Sequence, residues 1–464
     1  IFETQIIRMK KLLVLLAFFF CVTAKAQQSD SLIISKIVHQ ALTNGACYPR
    51  LNYLCKNIGP RLSGSLKGEK AVEYVNQLCV EQKLDTTFLQ PVTVPHWVRG
   101  EKEQAYYKVN GKKTTVAICA LGGSIATSKK GICAPVIEVH DFDELKALGR
   151  EKIEGKIVFM NHPMKSSFVH TFDAYGEAAG FRWATAQNAA KYGAVGVVVR
   201  SMTLALDNNP HTGAMGYNDT IIKIPACAIS TMGAEELSAA IKNNSQVEFY
   251  FKQSCEKFPD TQSYNVIGEL RGSEKPEEII VIGGHLDSWE LGEGAHDDGA
   301  GIMQSLEVLR IFQNLKMQPK RTIRFVAFAN EENGSRGGKQ LLAYAKERNE
   351  KIIAAIESDE GGFTPRGFSF NGDSLKMQHV MSKQELFYPY DLKYWEQGYG
   401  GTDINYLKEV GALLIGFVPD SQRYFDVHHA ATDVFENVNK RELELGAGSM
   451  AALVYVLSEY GVNQ

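Results

Sequence analysis

From Tyr264 onward, short apolar segments alternate with segments of helical periodicity. Residues 279–283 form a continuous apolar run of strand length, and residues 300–315 carry apolar side chains at helical spacing. Further strands are predicted at residues 265–268, 322–329 and 352–356, and a further helix at residues 336–346. Strands that alternate with helices predict an α/β fold with a mostly parallel sheet flanked by helices. Ligands bind beyond the carboxyl ends of such strands, so we expect the functional residues there.

Residues 116–253 follow a different pattern. The segment is rich in glycine, contains several short strand-like runs and carries no cluster of metal-type ligands. We interpret it as an inserted β-rich domain that covers a site or forms an interface, although it could also be part of one large sheet. Residues 27–115 and 254–464 then form the main domain, with a strand-like region at residues 86–107.

The N-terminus has the features of an export signal. Lys10 and Lys11 precede an apolar run at residues 12–22, and Ala24-Lys25-Ala26 supplies a small-x-small cleavage pattern. The run is too short for a transmembrane helix, and no other segment is long and apolar enough to be one. Residues 1–26 are therefore predicted to be a signal peptide with an upstream extension, and the protein to be secreted or periplasmic.

Charge and cysteine content narrow the possibilities further. The chain of 464 residues has a formal net charge of −3 and no long basic run, which argues against nucleic-acid binding. Seven of its cysteines lie after residue 26. An oxidising compartment permits disulfides, and the candidate pairs are Cys47 with Cys55 and Cys119 with Cys133.

Five clusters of acidic and histidine residues follow the predicted strands or lie near the C-terminus. They are His285 and Asp287; His296, Asp297 and Asp298; Glu331 and Glu332; Glu357, Asp359 and Glu360; and His428, His429 and Asp433. Carboxylates gathered at one sheet edge repel each other unless cations neutralise them. Mixed histidine and carboxylate ligands suit Zn²⁺, and a carboxylate shared by two ions is typical of two-metal hydrolases.

Two pairs of nearby residues are expected to have different roles within each pair. Glu331 and Glu332 are adjacent in a loop, so one can bind metal while the other accepts a proton from water. His285 and Asp287 leave a strand end on one face. Asp287 is expected to hydrogen-bond the imidazole of His285 and to fix its tautomer, although it could also be a loop cap.

These motifs resemble the co-catalytic zinc aminopeptidase and glutamate carboxypeptidase family. The resemblance rests on GGHLDS at residues 283–288, GAHDDG at residues 294–299, FANEENG at residues 328–334, and His429 with Asp433. SWE at residues 288–290, GGTDI at residues 400–404 and IGPR at residues 58–61 are similar to its plasma glutamate carboxypeptidase branch. The resemblance covers nearly all of the chain after residue 26.

The resemblance implies two zinc ions per chain and a role for each site residue. His285 and Asp359 would bind one zinc, Glu332 and His429 the other, and Asp297 both. Glu331 would be the general acid/base, and Tyr399 would stabilise the oxyanion. The family also implies the zinc exopeptidase fold, a protease-associated domain in the inserted segment, dipeptides or short peptides as substrates, and a possible homodimer.

Several alternatives stay open on the sequence. A glutaminyl cyclase-like acyltransferase and a non-catalytic binding protein share the fold, but they have fewer ligands or lack the catalytic glutamate. His428 competes with His429 for the last ligand position, and Tyr399 could be a packed loop aromatic. Which terminus of the substrate is read is also open, since an aminopeptidase needs an acidic group near the amine and a carboxypeptidase needs an Arg or Lys near the carboxylate.

Overall fold

The computed structural model describes residues 29–244 and 246–463. The predicted signal peptide at residues 1–26 lies outside the described residues. Two eight-stranded sheets organise the described chain. Within residues 29–244 and 246–463, none of the helices combines the length and apolar character that crossing a membrane requires.

The strands are, in chain order, β1 (Thr86–Val98), β2 (Gln104–Val109), β3 (Lys112–Thr115), β4 (Ile118–Ala120), β5 (Ile132–Val139), β6 (Ile157–Met160), β7 (Gly196–Arg200), β8 (Ala226–Ile229), β9 (Val247–Lys252), β10 (Glu256–Leu270), β11 (Lys275–His285), β12 (Arg321–Phe328), β13 (Lys351–Glu357), β14 (Pro365–Asn371), β15 (Tyr394–Gln397) and β16 (Leu413–Pro419). The helices are α1 (residues 29–44), α2 (Cys47–Tyr53), α3 (Leu66–Glu81), α4 (Phe142–Ile153), α5 (Thr171–Lys191), α6 (Thr231–Asn243), α7 (Ala300–Asn314), α8 (Arg336–Glu347), α9 (Ser374–Met381), α10 (Tyr424–Val427) and α11 (Lys440–Tyr460).

The first sheet has the order β1-β10-β12-β11-β13-β16-β14-β15. Its centre is parallel, because β12, β11, β13 and β16 pair in one direction. Antiparallel pairs flank this centre on both sides. The mixed α/β fold with a parallel sheet core confirms the fold class predicted from the alternating segments.

Helices cover both faces of this sheet. Successive residues of a strand point to opposite faces, so each face has its own apolar side chains to bury. In β11, Ile280 and Ile282 pack in the core that α7 and α11 share. Ile279 and Val281 pack on the other face, where α8 contributes Leu341. Burial on both faces explains why the central strands are continuous apolar runs.

The second sheet has the order β3-β2-β9-β5-β6-β7-β8-β4 and uses residues 104–252. Its middle strands β5 to β8 are parallel, and α4, α5 and α6 connect them or follow them. This segment therefore contains three helices in addition to its short strands. Strands β2 and β3 belong to the second sheet although they precede residue 116, where the insertion was predicted to begin.

Two local predictions differ from the structure. The region predicted as strand at residues 86–107 is split, since β1 ends at Val98 in the first sheet and β2 starts at Gln104 in the second. The seven cysteines of the described residues are free thiols, so neither candidate disulfide forms. Cys47 and Cys55 are buried as small apolar side chains in the main core, whereas Cys119 and Cys133 lie on β4 and β5, which are not neighbours in the second sheet.

Candidate active site

The carboxyl edge of the first sheet gathers the residues predicted to carry chemistry. β11 ends at His285, β12 at Phe328 and β13 at Glu357. His285 and Phe328 are register partners in a parallel pair. Because parallel strands end at the same edge, the loops after these strands meet there.

One ring nitrogen of His285 faces two carboxylates. Its Nε2 lies 3.0 Å from Oδ1 of Asp359 and 3.1 Å from Oδ1 of Asp297. Its Nδ1 lies 2.9 Å from the backbone carbonyl of Asp287, to which it can only donate. A neutral imidazole carries one proton, so this hydrogen bond leaves Nε2 as a lone pair directed at the carboxylates.

His429 has a similar arrangement on the opposite side of Asp297. Its Nε2 lies 3.2 Å from Oδ2 of Asp297 and 3.1 Å from Oε2 of Glu332. Nε2 of His428 is farther from Asp297, at 3.8 Å, and its ring stacks on that of His429 with centroids 3.6 Å apart. The geometry therefore favours His429 over His428 as the residue that faces Glu332.

Asp297 stands between the two histidines and needs positive charge on both sides. Its Oδ2 is buried without a hydrogen-bond partner. Burial alone would raise the pKa of Asp297, but His285 and His429 hold it well below its usual range. Lone pairs that face carboxylates are stable only when a proton or a cation lies between them. The donor set fits divalent cations, and its mixture of imidazole and carboxylate suits Zn²⁺.

Backbone contacts hold this cluster in place. Both carboxylate oxygens of Asp433 accept hydrogen bonds from backbone N–H groups, one from His296 at 2.8 Å and one from Asp297 at 3.1 Å. Asp298 accepts from the backbone N–H of His285 at 3.0 Å and of Gly301 at 3.0 Å. Asp433 and Asp298 therefore hold the backbone segments that carry His285 and Asp297. In the sequence, such structural acids cannot be distinguished from metal ligands.

The side chain of His296 is turned away from the cluster. Its Nδ1 accepts from the backbone N–H of Gly362 at 3.1 Å, and its Nε2 lies 3.2 Å from the carbonyl of Asn437. The ring stacks on Phe363 with centroids 4.1 Å apart. Burial lowers the pKa of His296 to about 4, so it is a neutral packing residue.

The adjacent glutamates Glu331 and Glu332 point to different neighbours. Glu332 faces His429, and its Oε1 accepts from the backbone N–H of Trp289 at 3.2 Å. The side chain of Glu331 lines the cavity over the cluster. Burial raises the pKa of Glu331 well above its usual range, and Asp359 and Glu332 raise it further against the opposing charge of His285.

Asp287 contacts both His285 and Glu331, but its carboxylate does not hydrogen-bond the imidazole as the spacing suggested. Its carboxylate Oδ1 is 3.9 Å from Nδ1 of His285, and the imidazole bonds the backbone carbonyl of Asp287 instead. Oδ1 accepts from the backbone N–H of Glu331 at 3.0 Å. Asp287 thus orients the histidine through its main chain and the loop of Glu331 through its side chain.

Tyr399 lies on a loop that a buried glutamate holds. Its hydroxyl donates to Oγ1 of Thr402 at 3.1 Å, and its side chain is 60% exposed at the cavity wall. Glu357 accepts hydrogen bonds from the backbone N–H groups of Thr402, Asp403 and Ile404 at 3.1, 3.2 and 2.9 Å. The sequence showed Glu357 only as one acid of a cluster, because its partners lie more than forty residues later.

A cavity of about 560 Å³ opens over the cluster. The first sheet supplies one wall with Asp359, Glu331 and His429. Helix α5, which follows β6 of the second sheet, contributes Tyr175 and Arg182 to the lining. Sequence reasoning missed these two residues, because nothing in a helix pattern shows which distant cavity the helix covers.

Comparisons with known proteins agree with this geometry. The profile of peptidase family M28 matches residues 265–454. Carboxypeptidase Q of Bos taurus is 34% identical over 415 residues, which cover 89% of this chain and 85% of the relative. The crystal structure of a peptidase M28 precursor from Shewanella amazonensis superposes with a TM-score of 0.90 at 30% identity, over 94% of this chain and 98% of the other. A zinc aminopeptidase structure from Bacillus subtilis shares the fold, with a TM-score of 0.64 at 21% identity over 88% of this chain and 94% of the other. The family resemblance seen in the motifs is thereby confirmed, and this chain belongs to peptidase family M28 and is a zinc metallopeptidase.

Proposed function

We propose that this chain is an exported exopeptidase that holds two zinc ions and hydrolyses dipeptides or short peptides. The observation that carries the proposal is the position of Asp297, whose two oxygens face His285 on one side and His429 on the other. His285 with Asp359 would hold one ion, and Glu332 with His429 the other. Asp297 would contribute to both.

Zinc bound at these ligands would lower the pKa of water and polarise the scissile carbonyl. The residues of the chain then divide the remaining work. Glu331 accepts the proton of the attacking water and returns it to the departing amine. The carboxylate of Asp287 holds the backbone of Glu331, so the acid/base group keeps its position. Tyr399 donates from its hydroxyl to the oxyanion after releasing Thr402.

The walls of the cavity support a small substrate. Helix α5 and the ligand cluster line the same space of about 560 Å³, which is within the size range of sites for small ligands. The name carboxypeptidase Q, given to the relative from Bos taurus, also suggests removal of a terminal residue. We propose that the segment around the second sheet acts as an inserted protease-associated-like domain that limits the length of the bound peptide.

Export and assembly complete the proposal. The signal-like pattern of residues 1–26 supports a secreted or periplasmic location. Its test is the N-terminal sequence of the secreted protein, expected to start at Gln27. A homodimer stays a prediction, which sedimentation of the purified protein would test.

The activity is tested with purified protein and a panel of free, N-acetylated and C-amidated dipeptides, before and after treatment with a zinc chelator. We expect cleavage of free dipeptides that stops with the chelator and returns with added Zn²⁺. Cleavage that is insensitive to the chelator, or the absence of cleavage in zinc-loaded protein across the panel, would contradict the proposed function.

A further inference from the structure

The guanidinium of Arg182 lies at the cavity wall with only neutral partners. Its Nη2 donates to the hydroxyl of Tyr175 at 2.7 Å, its Nε to the carbonyl of Ala214 at 3.4 Å, and its Nη1 to the sulfur of Met202 at 3.9 Å. The other N–H groups of the guanidinium have no acceptor among the described residues. A half-buried cation without a carboxylate partner is uncommon, because removing it from water costs free energy that an anion normally offsets.

Arg182 is also the exception in the charge of the cavity. Among the described residues that line the space, it alone is a lysine or arginine, and the same lining includes the carboxylates of Glu331, Glu332 and Asp359. Arg200, which is also half-buried on the second sheet, donates to Glu235 at 2.7 Å. Arg182 instead has no carboxylate partner among the described residues.

The position of Arg182 makes one end of the cavity different from the other. Its guanidinium lies over the ring of Tyr175, 5.4 Å from the centroid, and that ring contacts His428 edge to face at 5.1 Å. His428 stacks on His429. These ring contacts connect Arg182 to His429 through Tyr175 and His428, whereas Glu360 directly follows Asp359 in the sequence.

The loop beside Arg182 leaves room for its planar group. Gly213 has a φ of 131° and packs against the guanidinium, and any side chain at this position would collide with it. The carbonyl of Ala214 then orients Nε. The guanidinium is held in place by neutral contacts and keeps donors free for a ligand.

We propose that Arg182 binds the free α-carboxylate of the substrate, so that the site reads the C-terminus of a dipeptide or short peptide. This inference rests on the proposed exopeptidase function. A guanidinium binds a carboxylate through two parallel N–H···O bonds, and the bound peptide supplies the anion that the structure lacks. The carboxylate lies on the His429 side, and the peptide then runs toward Asp359 and Glu360.

The test compares Arg182→Gln, Arg182→Lys and the wild type on a free dipeptide and on its C-terminal amide. For the wild type we expect kcat/KM for the free dipeptide to exceed that for the amide by about 10- to 100-fold. This ratio corresponds to the usual contribution of hydrogen bonds between charged groups. Arg182→Gln removes this preference mainly through KM, and Arg182→Lys restores part of it. Because the readout is a ratio within each variant, a general loss of folded protein cancels.

Lys191→Gln is the matched control, since Lys191 lies on the same helix but is exposed and donates to Asn188. It should keep the wild-type ratio. An equal ratio in the wild type and in Arg182→Gln would overturn the proposal.

A binding measurement separates this inference from the proposed function. Calorimetric titration of zinc-loaded Glu331→Gln protein with the free dipeptide and its amide needs no turnover. We expect tighter binding of the free dipeptide, and loss of the difference when Arg182→Gln is added. Equal binding of both ligands would refute the role of Arg182, whereas a failure of the wild type to hydrolyse any peptide would count against the peptidase proposal alone.

Discussion

Nε2 of His285 lies 3.0 Å from Oδ1 of Asp359, and the proton of the ring is committed to the carbonyl of Asp287 at Nδ1. A neutral imidazole in this position directs a lone pair at a carboxylate. Burial would lower the pKa of His285, but Asp359 and Asp297 raise it well above its usual range. The pair therefore requires a proton or a metal ion, which makes metal content the first measurable consequence.

Metal analysis should find two zinc ions per chain in the wild type and about one in His429→Ala, because His429 and Glu332 form only one of the two ligand sets. Removal of zinc by a chelator should lower the melting temperature, since the ions bind only the folded state. His140→Ala is the control, because His140 is exposed and bonded to Glu144. Full metal content in His429→Ala would exclude His429 as a ligand.

Glu331→Ala should retain both metal ions and lose roughly 10²- to 10⁴-fold or more in kcat, the usual contribution of an acid/base group. The expected reason is that Glu331 lines the cavity while Glu332 faces His429. Steady-state kinetics on a free dipeptide, together with metal analysis of the same sample, measure both properties. Near-normal activity would show that another group transfers the proton.

Tyr399→Phe should lower kcat by about 10²-fold and leave zinc content and KM nearly unchanged, because the hydroxyl acts on charge that develops only in the transition state. Tyr406→Phe is a control on the helical turn that follows the same loop. The kinetic comparison uses one free dipeptide for all three proteins. A kcat equal to that of the wild type would support the interpretation of Tyr399 as a loop aromatic.

Glu307 on α7 should make stability depend on pH away from the active site. Burial raises its pKa from 4.5 to about 6, although Arg310 and Arg50 oppose the shift and the backbone N–H of Ala46 donates to it. The unfolded chain therefore loses this proton at lower pH than the folded chain does. Stability from this group is fully present below pH 4.5, falls as pH rises to about 6, and is then lower by about 2 kcal/mol.

Urea unfolding of the wild type and Glu307→Gln at several pH values between 4.5 and 7 tests this expectation. The free energy of unfolding of the variant should rise by about 2 kcal/mol relative to that of the wild type across this pH range, because glutamine has no proton to lose. Glu81→Gln, exposed at the end of α3, should show no such gain. A constant difference between wild type and Glu307→Gln would mean that the pKa of Glu307 is not raised in the folded protein.

Much of the catalytic framework was predictable because its signals are local. Continuous apolar runs and helical spacing identified the central strands and helices, and those strands end where the acidic and histidine clusters begin. The order of the clusters along a parallel sheet predicted that acidic and histidine side chains meet at one edge, and the family resemblance then selected His285, Asp297, Glu331, Glu332 and Asp359 from these clusters. The inserted segment was predicted less well, because its strands are short and β2 pairs with β9 across a long stretch of chain.

The sequence by itself determined which residue types meet at the carboxyl edge of the first sheet, since strand direction and burial period are properties of neighbouring residues. The choice between His428 and His429 depended on tertiary structure. His429 adopts a left-handed backbone with a φ of 61°, and its carbonyl accepts from the backbone N–H of Thr212 in the second sheet region. Arg182 and His429 are more than two hundred residues apart in the sequence but line the same cavity. Such contacts depend on how the two sheets pack against each other. The periodic patterns of the sequence contain no information about which distant residues meet.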